Sequence, residues 1–191
     1  MTDWTTLDYV VVDVEGNGHQ PPDLVELAVV PIVGGIVREP LSWLVKPDQP
    51  ITHFARKIHG ITNEQVADAL TFAAVEADVL KALDAPALIA HNAHVDVGVL
   101  RRKLPGWECP ELFDTLKLGR RLLPGRKKYR LGALVEEFEL ADGLKEDRQP
   151  HRATYDAIVT ARLFILLAGG RTLEELRDQP TEGGRDDPAL F

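Results

Sequence analysis

Two acidic residues close the first strand that the sequence predicts. Tyr9-Val10-Val11-Val12 is a short apolar run rich in β-branched residues, which is typical of a buried strand. Asp13 and Glu15 follow it two positions apart, so both carboxylates face the same side of the sheet. Two like charges beside a core repel each other and lose hydration, and a bound divalent cation is the usual remedy. The sequence therefore predicts a core strand that ends in a pair of metal ligands.

Two later segments supply the residues that would complete a site around this pair. The segment His91-Asn92-Ala93-His94-Val95-Asp96 contributes Asp96, and the segment His151-Arg152-Ala153-Thr154-Tyr155-Asp156 contributes His151 and Asp156. We place Asp156 about one turn inside a helix, with His151 just before it, so that the histidine can reach over a metal without ligating it. Four carboxylates and one histidine from three distant segments suit a two-metal site that cleaves phosphodiesters.

Composition indicates one domain. The chain has 191 residues, 45% of them hydrophobic, which is enough for one substantial core, and we find no internal repeat. The longest apolar stretch, residues 163–168, is far shorter than the roughly 20 residues that span a bilayer, and the N-terminus lacks a secretion signal. The lone Cys109 fits a reducing compartment. We expect a cytoplasmic protein with no membrane contact.

The net charge of −8 disfavours a protein that coats long duplex DNA. Two bound divalent cations would offset half of it. A basic segment surrounds Pro124-Gly125, and it can be either a surface that contacts phosphates or an ordinary solvated loop. Its members are Arg120, Arg121, Arg126, Lys127, Lys128 and Arg130.

Turn and cap signals divide the chain into strands followed by helices that alternate with short strands. Strands are predicted at residues 8–15, 24–32, 36–45 and 86–90, with a hairpin turn at Gly34-Gly35. Thr62-Asn63-Glu64-Gln65 is a capping box, and Asp114 lies where a strand end meets a helix N-cap. Further helices are predicted at residues 73–83, up to 104, 131–138 and 152–168. This order predicts a mixed sheet flanked by helices.

The three acidic segments resemble the motifs of the DEDDh branch of the DnaQ-like 3′-to-5′ exonucleases. Their order matches Asp-x-Glu, then His-Asn-Ala-x-x-Asp, then His-x-Ala-x-x-Asp. The likeness extends over about residues 8–168. It includes Ile58-His59-Gly60-Ile61-Thr62, Phe113-Asp114-Thr115-Leu116 and Arg121-Leu122-Leu123-Pro124-Gly125.

This resemblance implies a fold, a metal centre and a general base. The fold is a ribonuclease H-like mixed five-stranded sheet flanked by α-helices, with residues 1–170 as the exonuclease domain. Composition, rather than the resemblance, predicts that residues 171–191 form a polar, flexible tail. His151 is implied as the general base that takes a proton from the attacking water. Carboxylate ligands suit Mg²⁺ or Mn²⁺ better than zinc. The implied ligands of two such ions are Asp13, Glu15, Asp96 and Asp156.

The same resemblance implies contacts to the terminal nucleotide from the backbone of Val14 and Gly16, and from His59 and Asn92. From the residues alone, His59 can equally be a packed or surface histidine, and Asn92 can simply cap the following helix. Members of the family commonly have Thr-Thr after the first motif, where this chain has Gly16-Asn17. They commonly have an aromatic residue where this chain has Val95.

The leading hypothesis is a metal-dependent 3′-to-5′ exonuclease that releases nucleoside 5′-monophosphates, with single-stranded DNA as the favoured substrate and a role in DNA replication or repair. An exoribonuclease and a phosphodiesterase of small nucleotides are alternatives within the same chemistry. A module that binds nucleic acid or polymerase without catalysis is a third, although it would not need all four acids and the histidine.

The C-terminus carries a separate hypothesis about a partner. A polar stretch ends in Leu190-Phe191, which resembles the short peptides that bacterial replication proteins insert into the sliding clamp. The alternative is an unstructured end that binds nothing.

Overall fold

Strand β1 (Tyr9–Gly16) lies at the centre of a mixed sheet, as its apolar sequence predicts. The computed structural model describes residues 2–145 and 148–177. The other strands are β2 (Leu24–Val33), β3 (Ile36–Val37), β4 (Leu41–Leu44), β5 (Ala87–Ala90) and β6 (Glu111–Asp114). The helices are α1 (His53–His59), α2 (Asn63–Val66), α3 (Phe72–Ala82), α4 (His94–Lys103), α5 (Thr115–Leu122), α6 (Leu131–Phe138), α7 (Ala153–Ala168) and α8 (Leu173–Arg177).

Strand pairing makes the end of β1 accessible to two helices. β1 pairs with β2 in antiparallel orientation and with β5 in parallel orientation, and β6 continues the parallel part. The pairing with β5 ends at Val11 and Ile89, whereas β1 continues to Gly16. The last residues of β1 therefore lie beyond the end of β5, next to the start of α4.

The sheet has six strands, whereas five were expected from the family resemblance. A single strand was predicted over residues 36–45, but residues 38–40 interrupt it, and β3 and β4 pair separately with the same edge of β2. Pro40 lies in the interruption, and a proline has no N–H to donate to a sheet. The prediction of a mixed sheet flanked by helices is confirmed, and its strand count is corrected to six.

Both faces of the sheet are buried, which explains the unbroken apolar run in β1. Val11 packs on the side of α7, in a cluster that includes Phe164. Val10 and Val12 point to the opposite side, where they pack with residues of α3 and α4. Since side chains alternate along a strand, Asp13 and Glu15 share the face of Val11 and look toward α7.

Most helix boundaries agree with the sequence signals. Thr62 and Gln65 form the predicted capping box, with N–H to side-chain oxygen distances of 3.3 and 2.8 Å. The Asp114 side chain caps α5, as predicted, by accepting the N–H of Leu116 at 2.9 Å. α6 spans residues 131–138 as predicted, and α7 begins at Ala153, one residue after its predicted start.

The packed part of the chain continues past residue 170, where the polar tail was predicted to begin. Leu173 and Leu176 of α8 are buried in the cluster under α7, and Arg177 forms an ion pair with Glu111 at 2.6 Å. Leu190 and Phe191, with the proposed clamp contact, lie outside the described residues. Among residues 2–145 and 148–177, every helix falls short of the length and hydrophobicity that crossing a bilayer requires.

Candidate metal centre and active site

Three carboxylates from β1 and α7 lie close together. Asp13 and Glu15 are half-buried on the face of β1 that looks toward α7, and Asp156 lies in the first turn of that helix. One ligand oxygen from each of the three lies within 4.8 Å of the other two. This is close enough for the three acids to share a cation.

The fourth acid approaches from the opposite face of the sheet. Asp96 lies in the first turn of α4 and keeps only 5% of its surface exposed. Its Oδ1 accepts the backbone N–H of Val14 at 3.0 Å, between the two acids of β1. This bond anchors the Asp96 carboxylate beside the other three acids. The second oxygen of Asp96 takes no part in the bond to Val14.

Burial and mutual repulsion raise the pKa of each acid. Burial, and then the charges of Asp96 and Asp156, raise the pKa of Asp13 well above its usual value. Burial, and then the charge of Asp156, raise the pKa of Glu15 to about 9. Burial raises the pKa of Asp96 to about 8 and that of Asp156 to about 7, although backbone hydrogen bonds from Val14 and His151 oppose the two shifts.

One carboxylate oxygen in this cluster lacks a hydrogen-bond partner among the described residues. Oδ2 of Asp13 is buried and has no hydrogen-bond partner among the described residues. A buried carboxylate oxygen without a donor normally coordinates a cation or is neutralised. The donor set fits hard divalent cations such as Mg²⁺ or Mn²⁺, because all its ligand atoms are carboxylate oxygens.

An ion pair between a buried acid of β2 and the residue before α7 links these two elements, and sequence reasoning missed it. Glu26 of β2 lies directly across from Glu15 and is 5% exposed. Its carboxylate accepts two hydrogen bonds from Arg152, at 3.0 and 2.5 Å, and a third from the N–H of Ala153 at 2.9 Å. The sequence signal was available, since Glu26 is the one charged residue in the apolar strand Leu24–Val33.

His151 lies in the turn directly before Arg152 and is exposed. Its backbone is in the left-handed region, with a φ of 60°. The ion pair with Glu26 holds Arg152 in place. Because His151 directly precedes Arg152, its backbone position is restricted on that side.

His59 supports the end of β1 with both ring nitrogens. It is 5% exposed, its Nδ1 accepts the N–H of Ile61 at 3.0 Å, and its Nε2 lies 3.2 Å from the carbonyl oxygen of Gly16. The bond to Ile61 fixes the neutral tautomer with the proton on Nε2, which donates to Gly16. Burial lowers the pKa of His59, in agreement with a neutral ring.

These bonds use several of the groups that were expected to touch the substrate. The N–H of Val14 donates to Asp96, and the carbonyl of Gly16 accepts from His59. In the structure, His59 holds the backbone of the strand that carries Asp13 and Glu15. Space around Gly16 is tight, since a Cβ there would lie 3.0 Å from the Cβ of Pro22.

Asp114 holds the turn that leads into α4. Besides capping α5, it accepts the backbone N–H groups of Asn92 and Ala93, both at 3.1 Å. Asn92 adopts a left-handed φ of 65°, and its side chain remains half-buried at this turn. This arrangement fixes the start of α4 and with it Asp96.

His91 is enclosed behind the same turn. Its Nδ1 lies 2.9 Å from Oγ1 of Thr115. Burial lowers the pKa of His91 to about 4, so the ring is neutral at physiological pH. It therefore adds no positive charge beside the acids.

Comparison with known proteins gives consistent sequence matches. The exonuclease family model RNase_T matches residues 10–164. Exodeoxyribonuclease 10 of Escherichia coli K12 is 37% identical over 171 residues, which cover 88% of this chain and 73% of the relative. The 3′-5′ exonuclease DinG of Bacillus subtilis 168 is 36% identical over 179 residues, which cover 90% of this chain and only 18% of that much longer relative.

A solved structure agrees with the sequence matches. Exonuclease X in complex with 5′ overhanging duplex DNA superposes with a TM-score of 0.73 at 36% identity, and the match covers 88% of this chain and 96% of the other. The likeness confirms the ribonuclease H-like exonuclease fold that the sequence motifs implied.

Proposed function

This chain belongs to the DnaQ-like 3′-to-5′ exonuclease family, and from that premise we propose that it hydrolyses phosphodiester bonds at the 3′ end of a nucleic acid and releases nucleoside 5′-monophosphates. The observation that carries the proposal is the cluster of Asp13, Glu15 and Asp156, with ligand oxygens within 4.8 Å of one another. The unpartnered oxygen of Asp13 supports a cation as the missing partner of this cluster.

Asp13, Glu15, Asp96 and Asp156 are the residues that would hold two ions, Mg²⁺ or Mn²⁺. When bound, such ions lower the pKa of a water and stabilise charge on the leaving 3′ oxygen. The raised pKa values of the acids support this role, because bound cations would favour the ionised carboxylates that ligation requires.

His151 is the proposed general base, which takes the proton of the attacking water. Two observations support it. Its ring is exposed rather than packed in the core, and it directly precedes the helix that carries Asp156. Among the described residues, His91 and His59 are poor alternatives, since both rings are buried and hydrogen-bonded to protein groups.

His59 and Asn92 are proposed to act at the terminal nucleotide in different ways. His59 positions the backbone of Val14 to Gly16 through its bond to the Gly16 carbonyl. Asn92 lies on the turn before α4, and among the described residues its side-chain amide has no protein hydrogen-bond partner, so it is available to hydrogen-bond a sugar or base.

DNA is the favoured substrate. The relative with 37% identity is named an exodeoxyribonuclease, and the matched Exonuclease X structure contains duplex DNA with a 5′ overhang. A DNA 3′ end as substrate would give this protein a role in DNA repair or replication in the cytoplasm. RNA and short oligonucleotides remain outcomes that the experiment below separates.

The test is an assay of polarity, sugar and metal together. DNA and RNA oligonucleotides labelled at either end are incubated with Mg²⁺ or Mn²⁺, with and without chelator. We expect immediate release of a labelled mononucleotide from the 3′ end, gradual shortening of 5′-labelled DNA, and no reaction with chelator. Asp13→Asn is expected to be inactive, while Asp68→Asn, at an exposed acid between α2 and α3, serves as the control.

Immediate release of the 5′ label, or activity of Asp13→Asn equal to that of the control, would contradict the proposal. Faster cleavage of RNA than of DNA would assign the alternative substrate. Faster turnover of a dinucleotide than of a long oligonucleotide would assign a small-nucleotide phosphodiesterase.

A further inference from the structure

The connection between α5 and α6 contains four cations in five residues. We call residues 123–130 the basic loop. Internal contacts give it a defined shape, because the Tyr129 hydroxyl donates to the carbonyl of Leu123 at 2.8 Å and accepts the N–H of Arg126 at 3.2 Å. Arg126 is also used internally, since it bonds Glu137 at 2.8 Å and lies 5.0 Å from the centre of the Phe138 ring.

The other three cationic side chains of the basic loop make no such internal contacts among the described residues. Lys127, Lys128 and Arg130 are exposed, and within the described residues no hydrogen bond or ion pair joins their side chains to another protein group. Arg126 and Tyr129 thus brace the loop from inside, while three positive charges point outward from a braced backbone.

The last residues of the basic loop return toward the end of the sheet where the acids lie, whereas its first residues follow the end of α5, where Arg121 bonds α8. The Tyr129 ring packs beside Gly119 in α5, about one turn after Thr115, whose hydroxyl oxygen lies 2.9 Å from Nδ1 of His91. His91 directly follows β5, and β5 is the parallel neighbour of β1. At a spacing of about 4.8 Å between strands, the end of the basic loop that carries Tyr129 and Arg130 lies on the order of 10 Å from the end of β1.

A nucleic-acid strand needs positive charge at this distance. The chain has a net charge of −8, and its metal centre is built from four acids, so bound ions alone do not make the surroundings attractive to a polyanion. For a stacked strand that keeps the duplex rise of about 3.4 Å per nucleotide, a distance of about 10 Å corresponds to the second or third phosphate from the terminus.

We propose that Lys127, Lys128 and Arg130 bind the backbone phosphates of the substrate strand two or three nucleotides from its 3′ end. This inference rests on the proposed function. The proposed contact is with phosphates rather than bases. Hydrolysis and binding of the substrate should therefore depend on strand length and on salt concentration, but not on nucleotide sequence.

The test compares two triple variants with equal changes in net charge. The loop variant carries Lys127→Gln, Lys128→Gln and Arg130→Gln. The control carries Arg38→Gln, Lys81→Gln and Arg101→Gln, at exposed cations on β3–β4, α3 and α4. The substrates are a 20-nucleotide DNA strand and the p-nitrophenyl ester of thymidine 5′-monophosphate, which has no upstream phosphates. Melting temperatures check that both variants fold.

The loop variant is expected to lose at least tenfold in kcat/KM on the 20-mer at 50 mM salt, and to keep wild-type turnover of the ester. The slope of log(kcat/KM) against log salt should become shallower by about 2, from three lost contacts at about 0.7 each. The control should differ little from wild type. Equal behaviour of the two variants, or an equal loss on both substrates, would overturn the inference.

A separate readout keeps this test independent of the proposed function. Binding of the same 20-mer is measured by fluorescence anisotropy in Ca²⁺. If the wild-type chain hydrolyses neither substrate, the proposed function fails, and weaker binding by the loop variant than by the control still supports the phosphate contact. Equal binding by both variants overturns it.

Discussion

The carboxylate of Asp96 accepts the backbone N–H of Val14 at 3.0 Å, across 82 residues of sequence. This bond ties the first turn of α4 to the strand that carries Asp13 and Glu15. It uses the free edge of β1 beyond the end of β5, where a backbone N–H would otherwise lack a strand partner. One interaction therefore completes the sheet edge and orients Asp96, one of the four proposed metal ligands.

Two substitutions of Asp96 separate its structural role at the edge of β1 from its role in hydrolysis. Asp96→Asn keeps an oxygen acceptor for Val14 and removes the charge, so we expect loss of hydrolysis with a metal-free stability at least equal to wild type. Asp96→Ala also leaves the Val14 N–H without a partner, at a further cost of about 1–3 kcal/mol. Denaturant unfolding in chelator measures the difference. Equal stability of the two variants would contradict a structural role for this bond.

The metal-free protein should lose stability as pH rises. The folded pKa values of Glu15, Asp96 and Asp156 are about 9, 8 and 7, above the values of an unfolded chain. The folded state therefore holds protons that the unfolded state has released, and the free energy of unfolding falls as pH rises from about 5 through 9. Unfolding in chelator at several pH values tests this.

A matched variant and added metal sharpen the pH experiment. Glu15→Gln removes one of the titrating acids, so its pH dependence should be weaker than that of wild type. Saturating Mn²⁺ should raise stability most at high pH, where the ligands are ionised. Stability that rises with pH in chelator would contradict the raised pKa values of these acids, which come first from burial and then from neighbouring charges.

The ion pair between Glu26 and Arg152 should matter for stability and for catalysis. Arg152→Met leaves the Glu26 carboxylate buried without its cation and costs about 3 kcal/mol, at the low end for a buried pair because Arg152 remains partly exposed. The start of α7, with Asp156, loses its anchor, so kcat should fall. Adding Glu26→Gln to Arg152→Met should recover most of the stability. A double variant no more stable than the single one would contradict this account.

His151→Asn should reduce kcat by about 100-fold or more, the usual effect of losing a general base. Asparagine tolerates the left-handed backbone at this position, which limits any structural effect. Mn²⁺ and oligonucleotide affinity should stay near wild type. His53→Asn, at an exposed histidine of α1, is the control. A loss of metal affinity in His151→Asn would instead indicate that the histidine is a ligand.

Sequence patterns predicted the elements whose signals are local. The run before Asp13 predicted the central strand, and Thr62 with Gln65 predicted a capping box, because both depend on residues close in the chain. The break at Pro40 was missed, since a strand at the sheet edge tolerates proline and the pattern on either side is apolar. Edge pairing of two short strands is decided by tertiary contacts.

Prediction of the site from the sequence has the same limit as prediction of the fold. The motifs identified the four acids, but the partners that hold them come from elsewhere in the chain. Glu26 pairs with Arg152 across 126 residues, and His59 reaches Gly16 across 43. Such partners follow from strand register and helix packing, which a single sequence does not specify.

Calorimetric titration with Mn²⁺ tests the central claim most directly, since that claim is that acids from β1, α4 and α7 form one metal centre. The wild-type chain should bind two ions, and Asp156→Asn should lose at least one of them or bind at least 100-fold more weakly, while the control Asp68→Asn binds as wild type does. Binding by Asp156→Asn that equals the control in stoichiometry and affinity would contradict the account.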